Sequence, residues 1–335
     1  MKHPGRFVLI LGLLALALPA GAQTITLQIG AAVPANSPWD LGLRKIAAEW
    51  SRISGGAVRL NFPKSMANAS QEDIIQKMKF SLDGALLETA GLSFIDKNIM
   101  LLSMPSVVHD EREFAAAVSA AEPLLRKSIG ERYEIITVAQ GGWIRFFSNK
   151  ALVVPSDLVN ARIGSSQSQE ILTKQLQALG MRVVKSDVST MLLHFNSNAI
   201  DVAYTSPLLV ATMWSQYKRS VSHMSAFRIA PFFGAIIINR KSWDRVPDKF
   251  KPALLEAADR IAAEIAQEAL KLENQAIETM KREGLSVPTL GPADQAAWDE
   301  LFMGQRMEKL LADWYAPEWM SAVLGAVQKV KASAP

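Results

Sequence analysis

Two arginines in the middle of the sequence are candidates for binding an anion. Arg145 and Arg162 lie in the segment 141–167, each in a short apolar stretch, and a Pro-Ser-Asp turn at 155–157 separates them. A guanidinium group can pair with both oxygens of a carboxylate, which gives affinity and orientation together. The alternative is that both arginines are ordinary surface charges on two edge strands, and these residues alone leave the choice open.

Residue types used in catalysis are present, but their spacing matches no catalytic motif. His109, His194 and His223 are scattered and form no metal-ligand pattern. The acidic clusters at 72–73 and 110–113 stand at predicted helix starts, where carboxylates interact favourably with the helix dipole. The sequence contains no nucleophile elbow, phosphate-binding loop or dinucleotide fingerprint. The pattern favours binding over catalysis and predicts no metal and no cofactor, with an exported enzyme as the alternative.

The first 22 residues have the composition of a cleaved secretory signal. Lys2 and Arg6 precede an apolar run at 7–18, and the small residues of 20–22 follow it. The run is shorter than the roughly 20 residues that a membrane-spanning helix needs. We therefore expect a mature, periplasmic chain that begins at Gln23.

Length and charge restrict the remaining chain further. Removing 22 of the 335 residues leaves 313, which is more than one compact core usually holds, so two lobes are expected. The formal net charge of +4 includes Lys2 and Arg6, and no block of basic residues occurs. This composition argues against a nucleic-acid partner. Cysteine is absent, which excludes disulfides and thiolate metal sites.

Strand-like and helix-like segments alternate along most of the chain, which is typical of an α/β fold. The predicted strands are 24–29, 57–62, 85–90, 133–139, 143–149, 161–165, 182–184, 200–205 and 234–239. The predicted helices are 37–55, 70–84, 112–129, 168–180, 189–196, 207–219, 291–316 and 317–332. Strand 234–239 is distant in sequence from the first strands, yet it could return to their sheet.

The segment 247–284 differs from the rest because it is compatible with a helix nearly throughout. Its apolar residues keep a helical period, and Pro252 lies near its start. At 1.5 Å per residue, an unbroken helix would extend about 55 Å, which exceeds the diameter of one lobe. We predict one long helix that braces both lobes, with two helices or a coiled-coil arm as alternatives.

Several segments, in order and spacing, resemble the DctP-type substrate-binding proteins of tripartite ATP-independent periplasmic (TRAP) transporters. The resemblance covers nearly the whole mature chain and begins with the opening strand. The segments include NSPWDLGLRKIAAEWSRISGGAVRLNF, IIQKMKFSLDGALLETA, MPSVVHDEREF, SNKALVVPSDLVNARI, MLLHFNSNAIDVAYTSP and IIINRKSWDRVPDKFKPALLEAA. No single match is decisive, but their order is specific to this family.

The resemblance implies an α/β, two-lobed periplasmic binding protein fold (type II-like), with crossing strands and a long helix bracing both lobes. We place the first lobe at 23–144 plus about 234–270, and the second at 145–233 plus about 271–335. The resemblance also implies a receptor that closes on a small organic ligand and delivers it to the membrane permease subunits of a TRAP transporter.

The sequence departs from that family where the family binds a carboxylate. The strand 161–165 has Gly164 where most members have an arginine, and Arg162 takes the place of a lysine. Side chains alternate along a strand, so residues 162 and 164 share a face but stand roughly 6.5 Å apart. A second arginine position of some relatives corresponds to Ile144, and Arg145 should point to the opposite face. A one-residue slip in the alignment would return Arg145 to the cleft.

We therefore expect a ligand that depends little on carboxylate pairing, being larger, more apolar, or neutral and hydroxylated. Aromatic side chains would supply flat apolar area, and small polar side chains would supply hydrogen bonds. The candidate ligand-binding residues are Trp39, Glu88, Trp143, Arg145, Gly164, Ser165, Gln167, Asn196, Tyr204, Thr205 and Phe232. Core packing is the competing explanation for the aromatic residues.

Two alternatives to this ligand remain open. One is a carboxylate-binding TRAP receptor that uses Arg145 or Arg162. The other is a partner-binding protein without a small-molecule ligand, which would need a filled cleft. Some relatives that lack the arginine work with an additional tetratricopeptide-repeat (TPR) lipoprotein, and the resemblance leaves such a partner open here.

Overall fold

The computed structural model describes residues 24–67, 69–165, 170–186 and 188–333. Its strands are β1 Ile25–Gly30, β2 Val58–Asn61, β3 Gly84–Glu88, β4 Tyr133–Ser148, β5 Arg162–Ser165, β6 Arg182–Lys185, β7 Val202–Thr205, β8 His223–Met224 and β9 Ala230–Asn239. Its α-helices begin with α1 Pro38–Ile53, α2 Gln71–Met78, α3 Thr89–Ser93, α4 Glu111–Ile129, α5 Glu170–Ala178, α6 Val188–Asn196 and α7 Pro207–Thr212. They continue with α8 Trp214–Tyr217, α9 Arg240–Trp243, α10 Lys251–Arg282, α11 Pro292–Met303, α12 Gln305–Trp314 and α13 Pro317–Ala332.

The strands form one mixed sheet with two parallel ends and an antiparallel centre. Its order is β2-β1-β3-β9-β4-β7-β5-β6, and β8 pairs with β4 beside this path. Strands β1, β2 and β3 are mutually parallel at one end, and β5, β6 and β7 are parallel at the other. The central strands β9 and β4 are antiparallel to their neighbours. The late strand β9 thus does return to the first strands, between β3 and β4.

Strand β4 joins the two halves of the sheet. It pairs with β9 from Tyr133 to Ile144 and with β7 from Arg145 to Ser148. The prediction of two separate strands here is wrong, because the chain continues through a bulge between Gln140 and Gly142. Gly142 has a φ of +117°, a conformation that glycine adopts without steric cost.

Helix α10 is one unbroken helix of 32 residues, as predicted, and spans about 48 Å. It packs on α1, on β4 and on α7, so it contacts both ends of the sheet. Helix α1 approaches α10 closely at Gly42, where a Cβ would stand 2.0 Å from Cδ1 of Ile265. The indole N–H of Trp50 donates to the carbonyl of Leu254 at 2.9 Å. These contacts attach α10 firmly to the first lobe.

Two predicted helices are interrupted, and one ends early. Gly304 has a ψ of 172° and separates α11 from α12. Met213 leaves helical geometry and separates α7 from α8. Helix α2 ends at Met78, so Gly84 begins β3 instead of closing that helix. The predicted capping box of Ser70 and Asp73 does begin α2.

The C-terminal helices pack differently from the expected division of lobes. Trp298 and Phe302 of α11 lie in the core of the second lobe, beside Phe146. Helices α12 and α13 instead join the first lobe's core through residues such as Met307 and Val323. The segment 271–335 is therefore shared between the lobes, because the break at Gly304 redirects the chain across to α4.

His109 lies where the two lobes meet at this crossing. Its Nδ1 is 3.1 Å from Glu113 of α4, and its Nε2 is 3.0 Å from Asp299 of α11. Burial and the charge of Lys331 oppose protonation, but the hydrogen bonds to Asp299 and Glu113 and the charge of Asp299 raise the pKa of His109 above its usual value. The ring therefore links α4 to α11 and bridges the lobes, and the two carboxyl groups favour its protonated form.

This link should make part of the protein's stability depend on pH. A histidine with a raised pKa contributes fully below its unfolded pKa of about 6.5 and loses that contribution as the pH rises through the folded pKa. We expect the loss of unfolding free energy in His109→Gln to be larger at pH 5.5 than at pH 8, roughly the range over which histidine titrates. Urea denaturation at both pH values measures it. His194→Gln is the control, because His194 contacts the hydroxyl of Ser186 instead of a carboxylate; equal losses at both pH values would contradict the prediction.

Candidate functional site

A cavity of about 570 Å³ lies between the two lobes. The first lobe contributes the loop 33–38 after β1 and the residues at the end of β3. The second lobe contributes the end of β7 and the helix α7 after it. Ile144 of β4 and Phe232 of β9 form part of the wall between them. The cavity thus sits at the carboxyl ends of parallel strands, where α/β sheets usually place their ligands.

Three aromatic rings contribute to the cavity's wall. Trp39 lies in the first turn of α1, Phe232 in β9 and Tyr204 in β7, and all three line the cavity. Two of these rings pack against the backbone of Gly141, because it has no side chain. A Cβ there would stand 2.9 Å from the rings of both Phe232 and Trp39. The Gly-Gly pair in β4 therefore makes room for an aromatic corner.

Glu88 is the acidic residue of the cavity wall among the described residues. It ends β3, and its backbone N–H donates to Oε1 of Gln71 at 3.1 Å. Its carboxyl group has no hydrogen bond or ion pair with any described residue, and burial raises the pKa of Glu88 to about 7. Thr205 also lines the cavity, next to Tyr204. The wall thus combines one acidic group, several hydroxyl groups and the amide of Asn36 with a mainly apolar surface.

Arg145 does not reach this cavity, although it was a candidate for ligand binding. It is 9% exposed and lies on the side of β4 opposite Ile144, which lines the cavity. Its Nη1 donates to the carbonyls of Ser225, at 3.3 Å, and of Ala226. Burial lowers the pKa of Arg145 to about 10, so it remains protonated at neutral pH. Arg145 therefore holds the segment 225–226 against β4.

Arg162 and Gly164 are also away from the cavity wall. Arg162 binds Asp201 with two parallel hydrogen bonds, Nε to Oδ2 at 2.9 Å and Nη2 to Oδ1 at 2.7 Å. The space beside Gly164 is filled, since a Cβ there would stand 2.8 Å from Cδ1 of Ile200 and 3.3 Å from Cβ of Ser186. An arginine at position 164 would have to displace Ile200, so the side chains around it are arranged for glycine.

The remaining candidates divide between the core and the surface. Trp143 is fully buried, and its indole N–H donates to Glu111 at 3.1 Å. Ser165 is buried at the end of β5, and Asn196 is exposed at the end of α6, where it accepts a hydrogen bond from Ser220. Gln167 lies outside the described residues. Trp143, Ser165 and Asn196 therefore do not line the cavity, because β4 turns Trp143 into the core and α6 ends outside it.

A buried carboxyl group of α10 holds the crossing strand next to the cavity. Glu273 is 2% exposed, and its Oε2 accepts the backbone N–H of Trp143 at 2.8 Å. Gly142 makes room for it, since a Cβ there would stand 2.3 Å from this oxygen. Burial raises the pKa of Glu273 to about 7, opposed by the Trp143 hydrogen bond and by the charges of Arg145 and Arg228. The bulge of β4 and the long helix are thus joined at one point.

Several wall residues had no signal in the sequence. Leu172, Leu208 and Leu209 belong to no motif, and neither Met191 nor any residue of the loop 33–38 was a candidate for ligand binding. Their apolar side chains would be equally consistent with core packing. Only the arrangement of the lobes brings them to one cavity.

Neither a metal site nor a membrane span is found within the described ranges. They contain no group of three or more histidine, cysteine, aspartate or glutamate side chains that could hold an ion. In the same ranges, no helix combines the length and the apolar character that crossing a bilayer requires.

Comparison with protein families gives a match over most of the chain. The family model described as bacterial extracellular solute-binding protein, family 7 (DctP) matches residues 29–310. None of the curated proteins that were searched matches the chain.

Solved structures share the fold over nearly their full length. A TRAP periplasmic solute-binding protein from Ochrobactrum anthropi has a TM-score of 0.83 at 15% identity, covering 93% of this chain and 98% of its own. One from Desulfovibrio salexigens, with bound orotic acid, has a TM-score of 0.79 at 18% identity, covering 92% and 100%. One from Rhodobacter sphaeroides, in an open form without ligand, has a TM-score of 0.79 at 15% identity, covering 91% and 99%. The predicted two-lobed α/β fold is thereby confirmed.

Proposed function

The chain belongs to the bacterial extracellular solute-binding proteins of family 7, and from this premise we propose that it captures a small organic solute in the cavity between its lobes. The lobes close on the solute, and the closed protein delivers it to the permease subunits of a TRAP transporter in the membrane. The observation that carries this proposal is the cavity of about 570 Å³, whose wall both lobes share. Its size is within the range of ligand pockets, roughly 300 to 1,000 Å³.

The proposal includes a periplasmic location reached through a cleaved signal at residues 1–22. A TPR lipoprotein would be an additional partner in that compartment. An open cavity favours a small-molecule ligand over a protein that binds partners with a filled cleft. The Ser-His and paired-carboxylate arrangements of a hydrolase do not occur in the cavity wall among the described residues, which favours a receptor over an enzyme.

The proposed ligand does not rely on a carboxylate. The Desulfovibrio salexigens protein binds orotic acid, an organic acid. In this chain Arg145 and Arg162 are engaged with Ser225, Ala226 and Asp201 instead. Burying a ligand carboxylate without a cationic partner costs several kcal/mol. The ligand we propose is therefore mainly apolar, with groups that can donate hydrogen bonds.

Ligand binding should close the lobes, and the absence of cysteine allows this to be measured with introduced spin labels. Labels on Glu72→Cys in α2 and Gln216→Cys in α8 report on the distance between lobes, because both residues are exposed. We expect this distance to shorten with any compound that raises the melting temperature. A ligand present at 100 times its Kd raises the free energy of unfolding by about 2.7 kcal/mol. The compounds to screen are carboxylates, sugars, alcohols, amino acids and amines.

The control for closure is a pair of labels within one lobe. Glu72→Cys and Glu131→Cys both lie in the first lobe, and their distance should not change on binding. A screen in which no compound stabilises the protein, or in which stabilising compounds leave both distances unchanged, would contradict the proposed capture by closure.

A further inference from the structure

The charged groups of the cavity wall indicate the sign of the ligand's charge. The ionisable side chains that line the cavity, among the described residues, are Glu88 and Tyr204. The only charge that the described part of the wall can offer a ligand is therefore negative.

The carboxyl group of Glu88 differs from other acidic groups near the core. Glu134 pairs with Arg126 and Arg240, and Asp83 pairs with Arg245 at 2.6 Å. Glu88 has no such partner among the described residues. A carboxylate taken out of water without a counter-charge is costly, and a cationic group placed beside it recovers that cost. The missing counter-charge can come from the ligand.

Aromatic rings share the cavity wall with this carboxyl group. Glu88 is paired in register with Gly234 of β9, and a Cβ on Gly234 would stand 3.5 Å from Cη2 of Trp39. The indole ring is thus close to the backbone position opposite Glu88. Phe232 and Tyr204 line the same cavity. The faces of aromatic rings attract cations, most strongly when water is excluded.

We infer that the ligand is an organic cation, an amine or quaternary ammonium ion with an apolar body, whose charge pairs with Glu88 beside the ring of Trp39. This inference rests on the proposed function, because it takes the cavity between the lobes as the ligand site. The hydroxyl groups of Tyr204 and Thr205 and the apolar walls would hold the rest of the molecule. The charge of the ligand is the property that the inference adds.

The pH dependence of binding distinguishes a cation from an anion. Burial raises the pKa of Glu88 to about 7, so the group is largely protonated at pH 6 and largely ionised at pH 8. Burial also raises the pKa of Tyr204, which keeps that hydroxyl neutral throughout. A cation binds the ionised form, so its affinity should rise about ten-fold from pH 6 to pH 8. A carboxylate ligand would show the opposite trend, since it would bind the protonated form.

The experiment is calorimetric titration of the mature protein with compounds that share one carbon skeleton and differ in the head group. Phenethylamine, 2-phenylethanol and 3-phenylpropanoate form one set, and butyl and dodecyl compounds with the same three head groups form two others. Benzyltrimethylammonium adds a quaternary ion. We expect binding by one or more of the cations, weaker binding by the matching alcohol and none by the matching acid.

Variants of Glu88 identify the group that selects the charge. Glu88→Gln keeps the shape of the side chain and should weaken cation binding at pH 8 at least ten-fold, with loss of the pH dependence. Glu72→Gln, on the exposed face of α2, is the control and should bind as the original protein does. Melting curves of both variants verify that they fold.

Each other outcome overturns a defined statement. Binding of alcohols or acids without binding of amines contradicts the cationic ligand and leaves solute capture intact. Cation binding that is unchanged in Glu88→Gln contradicts the role of Glu88. A protein that binds none of the compounds, and none of the wider screen described above, contradicts both the inference and the proposed function.

Discussion

Replacing Glu273 with leucine should lower the free energy of unfolding by about 1 to 3 kcal/mol, the usual cost of leaving a buried hydrogen-bonding group without its partner. The backbone N–H of Trp143 would lose its acceptor at 2.8 Å. Arg145, which is 9% exposed, would keep its charge without the nearby carboxylate, while Arg228 would still repel it. Urea denaturation followed by tryptophan fluorescence measures the loss.

Two further variants determine the origin of this loss. Glu268 lies on the exposed face of α10, where its carboxylate is 3.5 Å from the amino group of Lys271. The substitution Glu268→Leu should therefore change the free energy of unfolding by less than about 0.5 kcal/mol. The double variant Glu273→Leu/Arg145→Met also removes the charge that Glu273→Leu leaves without its nearby carboxylate, so it should lose less stability than the sum of the two single variants. If the double variant is as unstable as the sum of the two single variants, the two side chains are not coupled.

The substitution Gly142→Ala should cost about 3 kcal/mol or more. Its φ of +117° is strained for any residue with a Cβ. The new Cβ would also stand 2.3 Å from Oε2 of Glu273, so the carboxylate would have to move away from the N–H of Trp143. The strain of the backbone and the loss of the hydrogen bond to Glu273 both lower the free energy of unfolding, and the two costs add. Thermal and urea unfolding give the size of the effect.

Gly325→Ala is the matched control for this glycine substitution. Gly325 lies inside α13, and a Cβ there would meet no atom within 4 Å. Alanine in a helix interior should raise stability by about 0.5 to 1 kcal/mol. Similar effects at positions 142 and 325 would show that the conformation of Gly142 is not what stabilises the bulge.

The local pattern of the sequence predicted most of the regular elements. Helical periodicity identified α10 as one helix, and the spacing of Ser70 and Asp73 identified the start of α2. Alternation along β4 correctly separated Ile144 from Arg145. The breaks at Met213 and Gly304 were missed, because a helical pattern of apolar residues continues through both.

The cavity was harder to predict, because its wall is assembled from distant segments. The sequence identified Trp39, Glu88, Tyr204, Thr205 and Phe232, which all line it. It placed Trp143 there as well, although the bulge at Gly142 and the hydrogen bond to Glu273 direct that residue into the core. Contributions from the loop 33–38 and from α7 follow only from how the lobes meet, which short-range patterns do not encode.

The bulge in β4 has a consequence for how such receptors diverge. The extra residue between Gln140 and Gly142 determines which of two neighbouring side chains, Ile144 or Arg145, faces the cavity. Deletion of that residue would reverse the faces of Ile144 and Arg145 and place a positive charge in the cavity. A preference for acidic or basic ligands can thus depend on which side chains of one strand face the ligand, while the rest of the cavity wall stays the same.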